Sequence, residues 1–306
     1  MQRKGFQVIG HETIPSDAMN KTKARLPEDW DIILEPKTGF FNLNLKEVWR
    51  YRDLMWLFVR RDFVAQYKQT ILGPVWHVIQ PLLTSIIFLF LFGRVAKLGT
   101  DGIEPILFYM SGITIWNYFA ACLTSTSTTF VANAAIFGKV YFPRLVIPLS
   151  VVISNIIRFG IQFGLLLVFM IVYAFKGVPI SLSFYWFFIP FLVIVMAGIG
   201  LGLGIIISSL TTRYRDLALL LTFAVQLGMY ITPIAYPLSF LEGTKYKWLI
   251  NINPLTPITE AFRYCVFGEA TVKAGGLLYS FVFMVVSILF GALIFNKVEK
   301  DFMDTV

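Results

Sequence analysis

Charge is what this sequence has least of. Asp, Glu, Lys and Arg make up 14% of its 306 residues, against about a quarter in an ordinary soluble domain. Hydrophobic residues make up 57% and aromatic residues 16%, and the mean hydropathy is +0.72. That balance argues against a soluble core and for an integral membrane protein. Cysteine is scarce too. Cys122 and Cys265 stand in apolar surroundings without metal-ligand spacing, and read as small packing residues rather than a disulfide. The two histidines, His11 and His77, lie far apart, so no metal site is expected. The start of the chain has no apolar stretch of the signal-peptide kind, and residues 1–44 read as a polar cytoplasmic tail. The net charge of +8 would point to nucleic acid in a soluble protein. Here it fits anionic headgroups and an excess of Lys and Arg on cytoplasmic loops, so no nucleic-acid partner is expected.

Two further absences bear on energy and chemistry. There is no G-x-x-x-x-G-K-[ST], the loop whose backbone amides cradle phosphates; Gly138-Lys139 is followed by Val. The chain is therefore expected to bind no cofactor itself, and any ATP and Mg would belong to a partner subunit. No Asp or Glu falls in the long apolar runs. That argues against a proton-driven carrier and against a membrane-embedded transferase, which needs a cluster of carboxylates or histidines.

What is there is a series of charge-free runs, each near the roughly 20 residues a helix needs to cross the hydrocarbon. They predict six spans, at about 73–93, 105–132, 146–175, 180–210, 217–236 and 274–296. Residues 237–273 are too polar and Pro-rich to span, yet `ITEAFRYCVFG` has helical amphipathicity; a re-entrant pair of short helices on the outer side fits. An even number of spans puts both termini on one face. Arg50, Arg52, Arg60, Arg61, Lys68, Lys139, Arg144, Arg213, Arg215, Lys297 and Lys300 fall on that face. Arg94, Lys97, Lys176, Lys245, Lys247, Arg263 and Lys273 fall on the other. Eleven against seven is a modest bias that favours cytoplasmic termini, with residues 297–306 as a cytoplasmic C-terminus.

Before the first span, `LKEVWRYRDLMWLFVRRDFV` places Leu45, Val48, Trp49, Met55, Trp56, Val59 and Phe63 on one helical stripe. Leu54, Leu57 and Phe58 fall off the stripe and Arg52 falls on it. The expected object is an amphipathic helix in the membrane interface within residues 45–72, with its tryptophans at headgroup depth. The chain must then turn to dive. Gly73 permits the turn, and Pro74 suits the first turn of a new helix.

At this crossing the residues resemble a known family. `FVAQYKQTILGPVWHVIQPLL` looks like the first-span segment of ABC-2-type permeases, the membrane subunits of polysaccharide exporters. `NAAIFGKVYFPRLVIPLS` (133–150) and `TRYRDL` (212–217) are similar to that family's cytoplasmic loops. `YPLSFL…NPLTPITEAFRYCVFG` (236–268) is similar to its outer segment before the last span. The resemblance implies an all-α integral membrane fold: six transmembrane helices, an amphipathic interfacial helix before them, and the re-entrant outer pair. It implies export of an undecaprenyl-linked, O-antigen-like glycan across the bacterial inner membrane, by a homodimer bound to two separate ATPase subunits. An ABC-2 permease for teichoic acid, a drug or another lipid remains the alternative.

Site residues follow from residues and resemblance together. Lys139, Tyr141, Phe142 and Arg144, with Arg213, Arg215 and Asp216, are candidates for ATPase coupling, the alternative being ordinary basic loops. Asp216 also suits the cap of the fifth span. Tyr67, Lys68, Leu72 and Gly73 form the candidate entrance loop. Arg158 sits inside an apolar run, where a charge costs at least about 2.5 kcal/mol; it either contacts substrate phosphate or the pore wall, or snorkels to the surface. Trp116, Tyr118, Phe119, Tyr230 and Tyr236 are candidate channel aromatics, the alternative being lipid-facing and belt positions. Pro254, Pro257, Glu260 and Arg263 are candidates for the outer gate.

Overall fold

The computed structural model describes residues 45–68, 73–137, 142–178, 184–211, 214, 216–241, 244–245, 247–270 and 272–303. Among them every regular element is helical. The segment expected at the membrane interface forms two helices rather than one, α1 (Leu45–Arg50) and α2 (Arg52–Tyr67), broken at Tyr51. Gly73 has φ +49, the left-handed conformation that only glycine adopts freely. A 3-10 turn (Gly73–Val75) leads into α3 (Trp76–Phe88), which continues as a π-helical stretch, Leu89–Val95. Then follow α4 (Pro105–Ser127), two short helices α5 (Thr129–Ala132) and α6 (Ala134–Phe137), and α7 (Val146–Phe175). A 3-10 turn (Phe184–Phe188) opens α8 (Ile189–Thr211), and α9 covers Leu217–Ile231.

The outer segment contains a 3-10 turn (Leu238–Leu241), α10 (Lys247–Ile252) and α11 (Thr256–Phe267), and the last helix is α12 (Ala274–Met303). Pro254 sits in the break between α10 and α11, and Pro257 in the first turn of α11, where its missing N–H has no helical partner to lose. Gly268, at φ +76, closes α11 by donating its N–H to Tyr264 at 2.8 Å.

Five helical stretches are long and apolar enough to cross a membrane: Gly73–Val95, Pro105–Ser127, Val146–Phe175, Phe184–Thr211 and Ala274–Ile294. The fifth expected span is shorter than the sequence implies. α9 has 15 residues, about 22 Å of rise, against roughly 30 Å of hydrocarbon. It stops at Ile231 because Thr232 precedes Pro233; the proline ring disfavours helical backbone there, and Thr232 is extended at ψ 140.

The core sits between α4, α7, α8 and α12. α4 and α8 are mainly buried, whereas α3, α7 and α12 bury less than a third of their apolar windows. Close packing of α8 comes from `GIGLGLG`. A Cβ at Gly200 would lie 2.9 Å from the Cys122 Cβ, and one at Gly204 2.6 Å from the Thr126 Cβ, both on α4. A Cβ at Gly198 would lie 2.5 Å from Met284, and one at Gly202 2.7 Å from the Ser287 main chain, both on α12. Two interleaved i, i+4 glycine pairs thus let one helix approach two neighbours closely, the small-residue contact of membrane helices.

A second, separate apolar cluster lies beside α2. Val48, Met55 and Phe58 pack with Phe142, Val146 and Ile147, so α1 and α2 rest on the loop before α7 and on its first turn. Phe58, off the expected stripe, is 6% exposed, while the stripe residues Trp49 and Trp56 are 68% and 65% exposed. The helix therefore uses one face for protein and leaves its tryptophans on another.

Candidate functional site

On the cytoplasmic side of the sequence reading, Phe142 is the hub of an aromatic group. Its ring is 5.9 Å from Phe58 and stacks on Phe137 at 5.6 Å. Arg144 lies over the Phe137 ring at 5.7 Å, and Phe130 adjoins it at 5.8 Å. Arg61 of α2 lies over Phe58 and donates from Nη2 to the Asn133 Oδ1 at 3.2 Å. Asn133 in turn donates to the Thr129 carbonyl. The helix before the first span and the loop expected to couple thus share side chains, through Phe58, Arg61 and Asn133, which sequence reasoning did not single out. Their signal was a recurrence of aromatics on both segments. Lys139, Tyr141, Arg213, Arg215 and Leu72 lie outside the described residues. Asp216 stands at the start of α9, exposed, and makes no capping bond with its side chain; its carbonyl instead accepts from Leu219 and Leu220. Tyr67 ends α2, and Lys68 after it is extended and exposed.

The candidate channel residues separate into two groups. Trp116, Tyr118 and Phe119 are 5%, 2% and 4% exposed, packed within the core. Trp116 meets Phe119 at 5.4 Å, and Tyr118 meets Phe159 at 5.2 Å. Tyr230 and Tyr236 instead line an apolar cavity of about 280 Å³ with Phe240, Leu241 and Leu249. The Tyr236 hydroxyl donates to the carbonyls of Tyr230 and Ile231 at 3.0 and 3.2 Å, so it caps the last turn of α9. Arg158 lies on α7 and lines a polar cleft with Asp62, Ser125, Ser154 and Asn155.

The outer candidates form a knot. Arg263 is 1% exposed and Glu260 5%. Arg263 Nη1 donates to Glu260 Oε1 at 2.9 Å and to the Pro233 carbonyl at 2.6 Å; Nη2 donates to the Ile234 carbonyl at 3.1 Å. The guanidinium lies 3.7 Å from the centre of the Phe108 ring, over a gap left by Gly112, where a Cβ would come within 2.8 Å of it. Burial pushes the Glu260 carboxyl up, and the adjacent guanidinium offsets only part of that rise. The chemical effect is local. Carbonyls freed where α9 breaks at Pro233 find donors on α11, as buried backbone requires. Asn253 to Thr232, Ser280 to the Pro254 carbonyl and Tyr279 to the Ile252 carbonyl extend the lacing, at 2.9, 2.6 and 2.7 Å.

Among the described residues no three His, Cys, Asp or Glu side chains gather as a metal site.

Comparison with known proteins gives the same picture. Residues 53–267 match the family described as ABC-2 type transporter, a range running from the start of α2 to the last residue of α11. The chain is 32% identical over 252 residues to an O-antigen export system permease protein RfbA of Klebsiella pneumoniae, covering 82% of this chain and 94% of that protein. A second Klebsiella pneumoniae protein of that name matches equally, 32% over 253 residues. A Myxococcus xanthus protein of the same name is 23% identical over 263 residues, 86% of this chain and 98% of that one. With long apolar helices and a family match that runs from α2 to α11, this chain is a multi-pass membrane protein that belongs to the ABC-2 type transporter family.

Proposed function

We propose that this chain is the permease subunit of an ABC exporter that moves an O-antigen-like polysaccharide outward across the bacterial inner membrane. The observation that carries the reading is the 32% identity to O-antigen export permeases over 82% of the chain and 94% of theirs. The working unit is a homodimer with two ATPase subunits, which supply ATP and Mg, and the substrate is an undecaprenyl-linked glycan. Six crossings are completed by α9 together with the chain that follows it, both termini are cytoplasmic, and α1 and α2 lie in the cytoplasmic interface with Trp49 and Trp56 toward lipid. The loop through Phe142 and Arg144, with Lys139 and Tyr141, receives the ATPase; Arg213, Arg215 and Asp216 form a second contact. Tyr67, Lys68, Leu72 and Gly73 flank the entrance. The cavity of Tyr230 and Tyr236 supplies aromatic faces on which sugars stack, and Pro254, Pro257, Glu260 and Arg263 hold the outer gate.

The experiment is co-expression with the cognate ATPase, with co-purification and ATP hydrolysis as readouts for the native pair and for Arg144→Glu. Arg144→Glu reverses a charge that lies on the aromatic group around Phe142, so a stable native complex lost in the variant is expected. A native chain that purifies alone, stimulates no ATPase and leaves glycan export unchanged when deleted would overturn the reading.

A further inference from the structure

Among the described residues one stretch departs from the winding of its own helix. Leu89–Val95, the continuation of α3, is π-helical. The Ala96 N–H donates to the Leu91 carbonyl and the Leu98 N–H to the Phe92 carbonyl, both at 2.9 Å. At the start of the stretch, the Leu89 N–H still bonds three and four residues back, to Ile86 and Ser85. A π turn absorbs a residue that an α-helix would place elsewhere, and such turns recur at functional sites. The stretch `LFLFGRV` contains no proline, so the cause lies in what surrounds it.

On one side stands Tyr109 of α4. Gly93 faces it: a Cβ there would lie 3.8 Å from the Tyr109 hydroxyl and 3.4 Å from the Leu89 side chain. Tyr109 is fully buried, with Phe88 and Phe108 edge-on to it at 6.2 and 5.5 Å, and its hydroxyl has no hydrogen-bond partner. Wound as an α-helix from the same start, the stretch would bring Phe92 to about the place of Gly93, one residue being about 100° of turn. The π turn therefore presents the residue without a side chain to Tyr109. A phenyl ring needs room that Gly93 does not, so conversion to α also pushes this end of α3 away from α4.

On the other side the chain is held in strained backbone. Lys97 and Asp101 have φ +52 and +49, left-handed values that residues other than glycine adopt at a cost. The outer segment holds them there. Ser239, in the 3-10 turn after α9, donates to Asp101 Oδ1 at 2.5 Å. The carboxylate of Glu269, just past α11, lies against Gly102, where a Cβ would come within 2.5 Å of it. A buried unpaired hydroxyl and two left-handed residues are thus costs of a single winding, and the clasp maintains it. We propose that Leu89–Val95 is a two-state hinge: π-wound while Asp101 and Gly102 are clasped to Ser239 and Glu269, and α-wound once the clasp opens, with Phe92 in place of Gly93 against Tyr109. Phe88, at the base of the hinge, is 6.5 Å from Tyr230, and Phe108 carries the Arg263 guanidinium, so the hinge touches both the aromatic cavity and the outer knot. The proposal goes beyond the exporter reading and rests on contacts within the chain, so its test needs neither glycan nor ATPase.

The test is disulfide trapping in the purified full chain, in a background carrying Cys122→Ala and Cys265→Ala. Tyr109→Cys is combined with Gly93→Cys, to catch the π winding, or with Phe92→Cys, to catch the α winding. With the clasp intact, the Gly93 pair should oxidise about tenfold faster than the Phe92 pair, or more. Ser239→Ala together with Glu269→Ala should speed the Phe92 pair about tenfold and slow the Gly93 pair. A Phe92 pair that stays unoxidised in both backgrounds overturns the hinge. Rates that do not respond to loss of Ser239 and Glu269 overturn the clasp. Hydrogen exchange on the native sequence covers the case in which the cysteine variants do not fold. Amides of residues 93–98 should exchange at least about tenfold faster than those of residues 84–88, and deletion of Leu91, which removes the extra residue, should slow them. Equal protection of the two stretches in the native chain overturns the hinge. The exporter reading fails on a different result, the absence of any ATPase complex with the native chain.

Discussion

Arg263→Ala is the substitution from which the structure demands most. Arg263 is 1% exposed and makes three hydrogen bonds: to Glu260 Oε1 and to the carbonyls of Pro233 and Ile234. Alanine leaves Glu260, itself 5% exposed, without its cation, and orphans two main-chain acceptors. Each orphaned buried acceptor costs about 1–3 kcal/mol. Glu260 limits its own penalty by taking up a proton, a step already favoured because burial raises its pKa. The whole change should therefore lie near the ~3–5 kcal/mol typical of breaking a buried ion pair from one side. Unfolding of the purified chain in mixed micelles against rising SDS measures it, with the neighbouring α10 followed through Trp248. The double substitution Arg263→Leu with Glu260→Leu removes the stranded charge and should be less damaging than the single one. Arg263→Lys keeps the charge but not the two-pronged reach to both carbonyls, and should fall between. If Arg263→Ala lies within about 1 kcal/mol of native, or the double substitution is the worse of the two, the account of the outer knot is wrong.

Other substitutions probe other parts. Gly202→Ala drives a methyl into the Ser287 main chain at 2.7 Å and should cost about 1–3 kcal/mol in the same assay, whereas Gly160→Ala, with open space around it, should be neutral. Phe142→Ala empties the centre of the α2 cluster and should cost about 3–5 kcal/mol; loss of ATPase stimulation at temperatures where the chain stays folded would report the coupling role separately. Tyr236→Phe removes the hydroxyl that caps α9 and should cost about 0.5–1.5 kcal/mol, while keeping the aromatic face, so glycan export should survive; Tyr236→Ala should lose both.

Much of the fold was legible because a bilayer imposes it. Each long apolar run became a helix, since backbone in lipid must satisfy its own hydrogen bonds. The turn at Gly73 was readable from residue chemistry alone. α9 was drawn too long because a hydropathy count ignores Thr232–Pro233, where the proline ring acts on the residue before it. The single stripe drawn through α1 and α2 divides in the structure: Val48, Met55 and Val59 are buried together with the off-stripe Phe58, while Trp49 and Trp56 are exposed, because a helix that meets protein on one side and solvent or lipid on another has two apolar faces. Glu260 and Arg263 were named among the outer-gate candidates, but their pairing was not, and the other partners of Arg263, the carbonyls of Pro233 and Ile234, are thirty and twenty-nine residues away and carry no side-chain signal.

By itself the sequence determined that this is a helical membrane protein without a nucleotide loop, with motifs of an ABC-2 permease in order along it. Those properties are one-dimensional: the length of an apolar run, the presence of a motif, the sign of a loop. Only the tertiary structure decided which polar residues work together. Arg158 was one charge in an apolar run until α2, α4 and α7 brought Asp62, Ser125 and Asn155 to it. Likewise, the glycines of α8 were flexible residues in composition until α4 and α12 closed on opposite sides of them. Convergence of distant side chains depends on which helix faces meet, and a sequence read residue by residue does not specify those faces when both sides of a helix are apolar.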